Sequence, residues 1–153
     1  MSIAFVLVFV AAAPFWALLI VAPNWGWTRR IASTPWMAMP PLVFWFIFAI
    51  PNFGELLPAV AKPTLEVWQG LVTEPAVMTL VWAQVIAWDL FMGRWMYLDS
   101  RERNIHPLAM APLLVLTILL SPIAVPLYLV LRQFLGRTTE STQEPAARAS
   151  VPA

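Results

Sequence analysis

The stretch Trp82-Ala83-Gln84-Val85-Ile86-Ala87-Trp88-Asp89-Leu90-Phe91-Met92-Gly93-Arg94-Trp95 decides the fold class. It lies inside Ala76–Leu98, a run apolar enough to cross a bilayer, and it carries one acid, Asp89, and one base, Arg94. An acidic residue near the centre of a spanning helix costs roughly 2.5–3.5 kcal/mol on insertion scales. Such residues face a bundle interior or a wet cavity and find a partner there. Asp89 is therefore the first candidate for chemistry.

Three further apolar runs surround this one. A helix needs about 20 residues to cross the hydrocarbon core. Ile3–Ala22 and Pro35–Gly54 each have 20 residues without a charge, and Leu108–Leu131 has 24. The pattern predicts an all-α integral membrane protein, a bundle of four transmembrane helices over residues 1–135. Ala11-Ala12-Ala13 resembles a signal-peptidase site, but no basic region precedes Ile3, so the first run reads as a retained span. Pro112, Pro122 and Pro126 interrupt the last run. Proline removes a donor and bends a helix, and in lipid the freed carbonyls need other partners. Ser121 and Thr117 are at hand. The run reads either as a curved helix or as a bend that opens a cavity beside Asp89.

Between spans two and three, Leu65, Trp68, Leu71 and Val72 recur at helical spacing within Glu55–Glu74, and Pro63 can open a first turn. That predicts one short amphipathic helix on the membrane surface. Residues 136–153 are polar and then Ala-rich, lack apolar periodicity, and read as a disordered tail.

Composition agrees with the membrane reading. The chain is 61% hydrophobic and 11% charged, with a mean hydropathy of +0.76; soluble domains average about 45–50% and 25%. A net charge of +1 leaves no nucleic-acid footprint. The absence of Cys excludes disulfides and thiolate chemistry, and a single His leaves no ligand set for structural zinc. Trp25, Trp27, Trp36 and Trp95 flank spans and read as an aromatic belt. Trp82 and Trp88 read as pocket-lining residues. Arg29 and Arg30 in the first loop, with Arg101 and Arg103 in the third, put both chain ends on the non-cytoplasmic side. Arg132 and Arg137 argue the other way.

On a helix, Val85, Asp89, Met92, Gly93 and Met96 share a face, and Gly93 lets another helix approach closely. Arg94 lies about 140° around the helix from Asp89, so it reaches the surface or another helix. Gln84 is five residues away on the other side. Asp89 is either a proton carrier or anchor for a polar substrate group, or a packing hydrogen bond. Burial disfavours the charged form of a carboxylate, which suits acid–base work. Tyr97–His106, with Asp99, Arg101, Glu102 and Arg103, reads as a solvated turn, and His106 as an interfacial cap.

The stretch from Trp88 to Asp99, continued by Arg103 and Ile105, resembles the signature of the neoxanthin-synthase-like family. These are small four-span membrane proteins named after a plant abscisic-acid-deficient locus, and many bacterial members are of unknown function. Pro14-Phe15-Trp16 with Ala22-Pro23 is similar to the family's first span, and Ser121-Pro122-Ile123-Ala124 with Leu127-Tyr128 to the end of its last. The resemblance covers residues from about 5 to 135. It implies carotenoid chemistry: isomerisation of an epoxy-xanthophyll into an allenic one, without redox change. A carboxyl would protonate the epoxide oxygen while a base takes a proton from the polyene. Gln84 stands where the family pattern has His, and Gln cannot act as a base.

Two functions follow. In the first, the chain binds or isomerises a xanthophyll in an intramembrane groove. Asp89 is then catalytic; Gln84, Arg94, Trp82, Trp88 and Gly93 bind the substrate; and the carotenoid is the ligand, with no cofactor required. In the second, it is a non-catalytic transmembrane subunit of a larger photosynthetic pigment or energy-transducing complex. Its expected partners are membrane lipids, carotenoid and that complex, in a bacterial cytoplasmic or intracytoplasmic membrane.

Overall fold

The computed structural model describes residues 2–135, which form seven α-helices and one 3-10 turn; the predicted tail lies outside the described residues. Helix α1 (Ser2–Val21) runs unbroken through Pro14. It packs parallel to α6 (Pro75–Glu102). Phe5 stacks on Trp82 with ring centroids 5.0 Å apart, Trp16 covers Gly93, and the Tyr97 hydroxyl donates to the Pro23 carbonyl at 2.7 Å. A Cβ on Gly93 would overlap the Trp16 ring, so a missing side chain is what lets the two helices close. Val8, Ala12, Trp16 and Leu19 bury themselves here against Ala83, Ile86, Leu90 and Met96.

The chain then crosses one end of the molecule as α2 (Gly26–Ser33), which buries Thr28 and Ala32 and exposes Trp27, Arg29 and Arg30. A sharp elbow of 84° separates α2 from the helical stretch Pro35–Ala49. That stretch is a 3-10 turn (Pro35–Ala38) followed by α3 (Met39–Ala49). Helix α3 runs antiparallel to α6: Leu42 stands near Trp88 and Phe91, whereas Ala49 stands near Leu80 and Val81. The uncharged run Pro35–Gly54, expected to be broken by Pro40, Pro41 and Pro51, continues as a helix only as far as Ala49: Pro40 and Pro41 sit in the first turn of α3, and the chain turns before Pro51. Pro35–Ala49 measures about 22 Å at about 1.5 Å per residue. Asn52 Nδ2 closes its end by donating to the Phe48 carbonyl at 2.8 Å.

The short helix expected from Leu65, Trp68, Leu71 and Val72 is α5 (Leu65–Val72), and a second helix that the pattern did not announce, α4 (Phe53–Ala61), precedes it. Lys62 and Pro63 separate them, and Thr64 rather than Pro63 sets the start of α5, its hydroxyl accepting from the Val67 amide.

Helix α7 (Pro107–Leu135) departs most from expectation. Leu120, just before Ser121-Pro122, has a non-helical φ of −150° and ψ of 63°. On a continuous helix, Tyr128 would lie about 31 Å along the axis from Pro107. Instead its hydroxyl donates to Asp99, within a turn of the end of α6. Its ring meets Trp95 edge-on at 5.6 Å, and Arg132 reaches the Asp99 carboxylate at 3.4 Å. Residues 121–135 thus run back toward the end where α7 began. Length and composition alone would suit α7 to a full crossing; its path is a re-entrant hairpin. Pro122 explains the break: it has no N–H for the Ile118 carbonyl, and its ring crowds that carbonyl. Both a curved helix and a simple four-rod bundle are corrected by these contacts. Three rods, α1, α3 and α6, carry a hairpin whose tip sits beside Asp89.

The turn between α6 and α7 is built locally. Asn104 takes a φ of 54°, the Ile105 amide donates to Ser100 at 2.9 Å, and the Asn104 amide to Arg101 at 3.2 Å. This is a Schellman ending with Asn in the left-handed position. His106 Nδ1 accepts from the Leu108 amide at 3.3 Å and caps α7. The hairpin also brings Arg132 to the end that carries Arg29, Arg30, Arg101 and Arg103, so Arg132 no longer conflicts with the charge pattern. It puts Leu135 at the opposite end from Ser2, which corrects the expectation that both chain ends share one side; Arg137 lies outside the described residues.

Candidate functional site

Helix α6 presents different residues to each neighbour. Gln84, Ala87, Trp88 and Phe91 recur at i, i+3, i+4 and i+7 and face α3. With Ala38 and Leu42 they line a groove of about 210 Å³. Gln84 also lines an adjoining groove of about 530 Å³ with Trp45, Phe53, Leu57, Trp68 and Val85 among its walls. The two form one trough along α3 and α6. Gln84 stands where they join, and the other lining residues are apolar or aromatic. Trp88 and Phe91 meet edge-on at 6.2 Å. Trp88 is 54% exposed, so the trough opens on the outer surface.

Asp89 belongs to another face, about 140° around α6 from Gln84. It is buried and turned to the hairpin tip, where the Ser121 hydroxyl faces it. Ser121 opens the returning half of α7. A carboxylate beside the first turn of a helix complements its unbonded N–H groups.

The other predicted residues are scattered. Trp82 lies on the Asp89 face but is stacked on Phe5; its Nε1 is buried without a hydrogen-bond partner among the described residues. Gly93 lies beneath Trp16. Arg94 donates from Nε to the Thr34 carbonyl at 3.1 Å and from Nη2 to Ser33 at 3.2 Å. It thereby satisfies the end of α2, where a cation also suits the helix dipole. Of the six residues, Gln84 and Trp88 share the trough; Trp82 and Gly93 pack against α1, Asp89 faces the hairpin tip, and Arg94 reaches the end of α2.

Sequence reasoning missed a second polar centre. Asp99, expected in a solvated turn, has a side chain only 15% exposed. It accepts from Arg103 Nε at 3.2 and 3.1 Å, from Tyr128, and pairs with Arg132. Arg132 also lies 5.9 Å over the Trp95 ring. The i, i+4 spacing of Asp99 and Arg103 was a readable signal. Tyr128 and Arg132 join them only because α7 turns back.

A family profile described as ABA DEFICIENT 4-like matches residues 3–128. The chain belongs to the ABA DEFICIENT 4-like family. Comparison with curated proteins gives no match, and neither does comparison with solved structures. The ABA DEFICIENT 4-like region includes the trough, Asp89, the hairpin tip and Tyr128.

Proposed function

We propose that this ABA DEFICIENT 4-like protein holds a xanthophyll in the trough along α3 and α6. Family membership supports a carotenoid-related membrane protein at the level of the family. The observation that carries the finer reading is Gln84, an amide where two aromatic-walled grooves meet. Lipid tails are as apolar as a polyene, so burial alone gives little preference for the trough over the bilayer. Selectivity has to come from packing on Trp45, Trp68 and Trp88, and from a polar contact. The Gln84 amide can donate to an epoxide or hydroxyl oxygen and accept from a hydroxyl.

Holding is favoured over isomerising by the position of Asp89. It faces Ser121 and the hairpin tip, so the trough has an amide but no acid or base among its lining residues. Asp89 in this reading anchors the hairpin.

The test is reconstitution of the purified chain with an epoxy-xanthophyll and, separately, with a hydrocarbon carotene. Bound pigment is read by absorbance after gel filtration. A hydrogen bond in lipid is worth about 1–2 kcal/mol in model peptides. Gln84→Leu should therefore lower xanthophyll affinity by roughly 5–30-fold and leave the carotene unchanged. Accumulation of an allenic isomer, abolished by Asp89→Asn, would replace holding with catalysis. Equal retention of both pigments by both forms would remove Gln84 from the site.

A further inference from the structure

The elbow between α2 and the next helix forms an open surface hollow that the carotenoid reading does not use. Phe15, Trp27, Arg30, Thr34, Trp36 and Met37 are among the residues lining about 330 Å³ there. Trp27 and Trp36 are 55% and 69% exposed, at the end of the molecule where α1 stops and α2 turns across it. Amphipathic rings of this kind sit at headgroup depth. Phe15 and Met37 supply apolar walls deeper in. The charge in the hollow is Arg30, whose guanidinium lies 5.3 Å over the Trp27 ring. Arg94, Arg101, Arg103 and Arg132 all hold protein partners with their guanidinium groups; among the described residues the Arg30 guanidinium makes no hydrogen bond or ion pair, and only its backbone carbonyl accepts, from the Ser33 hydroxyl. The surroundings match it in sign. Arg29, Arg94, Arg101, Arg103 and Arg132 share this end with Asp99 and Glu102 as its acids, whereas the opposite end carries Lys62 with Glu55, Glu66 and Glu74.

We infer that this elbow seats an anionic phospholipid, with its phosphate on Arg30 and an acyl chain along Phe15 and Met37. The arginine-rich end then faces the cytoplasmic leaflet, in line with the positive-inside rule and the negative potential of that surface. A guanidinium matches phosphate oxygens in a two-pronged fork. A free phosphate would use the cation but leave the apolar walls unoccupied; a lipid uses both. The assignment is independent of the carotenoid reading, because none of its residues lines the trough.

The experiment is native mass spectrometry of the full chain released from detergent, with phosphatidylglycerol, phosphatidylcholine or inorganic phosphate added. Phosphatidylglycerol should be retained in preference to phosphatidylcholine, and inorganic phosphate should not displace it. Arg30→Gln should lower phosphatidylglycerol retention about fivefold, the share of one basic residue at an anionic surface. Arg29→Gln, outside the hollow, should change it less. Trp36→Ala removes a wall, keeps the charge, and should also lower retention. Unchanged retention in Arg30→Gln, or equal retention of the two lipids, would overturn the site. Displacement by inorganic phosphate would reduce it to a free-anion site. Full retention in Trp36→Ala would reduce it to surface charge.

Discussion

Tyr128→Phe removes one hydroxyl and keeps the ring that packs on Trp95, so it probes the return of α7 with little change of shape. The hydroxyl donates to a carboxylate that also holds Arg103 and Arg132. Hydrogen bonds to charged groups contribute about 1.5–3 kcal/mol. Asp99 keeps two cationic partners after the substitution, and its side chain is 15% exposed, so a loss at the lower end, about 1.5–2 kcal/mol, is expected. The assay is unfolding of the purified chain by titration with a denaturing detergent, run as a double-mutant cycle with Asp99→Asn. Sites without contact add to within about 0.3–0.5 kcal/mol; this pair should couple by about 1 kcal/mol or more. Arg103→Gln is the internal control, because an i, i+4 pair on one partly exposed helix face is worth only about 0.3–0.5 kcal/mol. Additive effects of Tyr128→Phe and Asp99→Asn would mean that the two side chains do not meet and that residues 121–135 leave the tip in another direction.

Two further outcomes follow from the same contacts. Single cysteines at Asn104 and Phe134, in a chain without native cysteine, should label from the same membrane side and a cysteine at Lys62 from the opposite one; labelling of Asn104 and Phe134 from opposite sides would make α7 a crossing helix. Gly93→Ala gains up to about 1 kcal/mol of helix propensity but drives a methyl into the Trp16 ring, and overpacking costs about 1–3 kcal/mol. A lower unfolding midpoint in the detergent titration is therefore expected, and an unchanged one would show that α1 and α6 sit further apart.

The helix class and the positions of α1 and α6 were legible, because an uncharged run of about 20 residues has few alternatives in lipid. The direction of α7 was not. Hydropathy sums composition over a window and does not distinguish a rod from a hairpin of equal length. Pro112, Pro122 and Pro126 were visible, but α7 passes through Pro112 and Pro126 and breaks only beside Pro122. What fixes the return is the contact from Tyr128 to Asp99, 29 residues away in sequence. The same gap explains the candidate site. Gln84 and Trp88 share a face by i, i+4 spacing, and the trough unites them. Asp89 follows Trp88 directly but is turned about 100°, and Ser121, which the hairpin brings toward it, lies beyond the reach of local pattern. Arg94 was expected to leave its own helix face, and its acceptors proved to be the carbonyls that end α2.

Occupation of the α3–α6 trough by a carotenoid is tested most directly by the absorption spectrum of the protein purified gently from its native membrane. The wild-type chain should carry a carotenoid spectrum through purification, and the combined Gln84→Leu and Trp88→Ala variant, folded to the same helix content, should lose it. A colourless wild-type protein from a carotenoid-containing membrane, or an unaltered spectrum in the variant, would contradict the assignment.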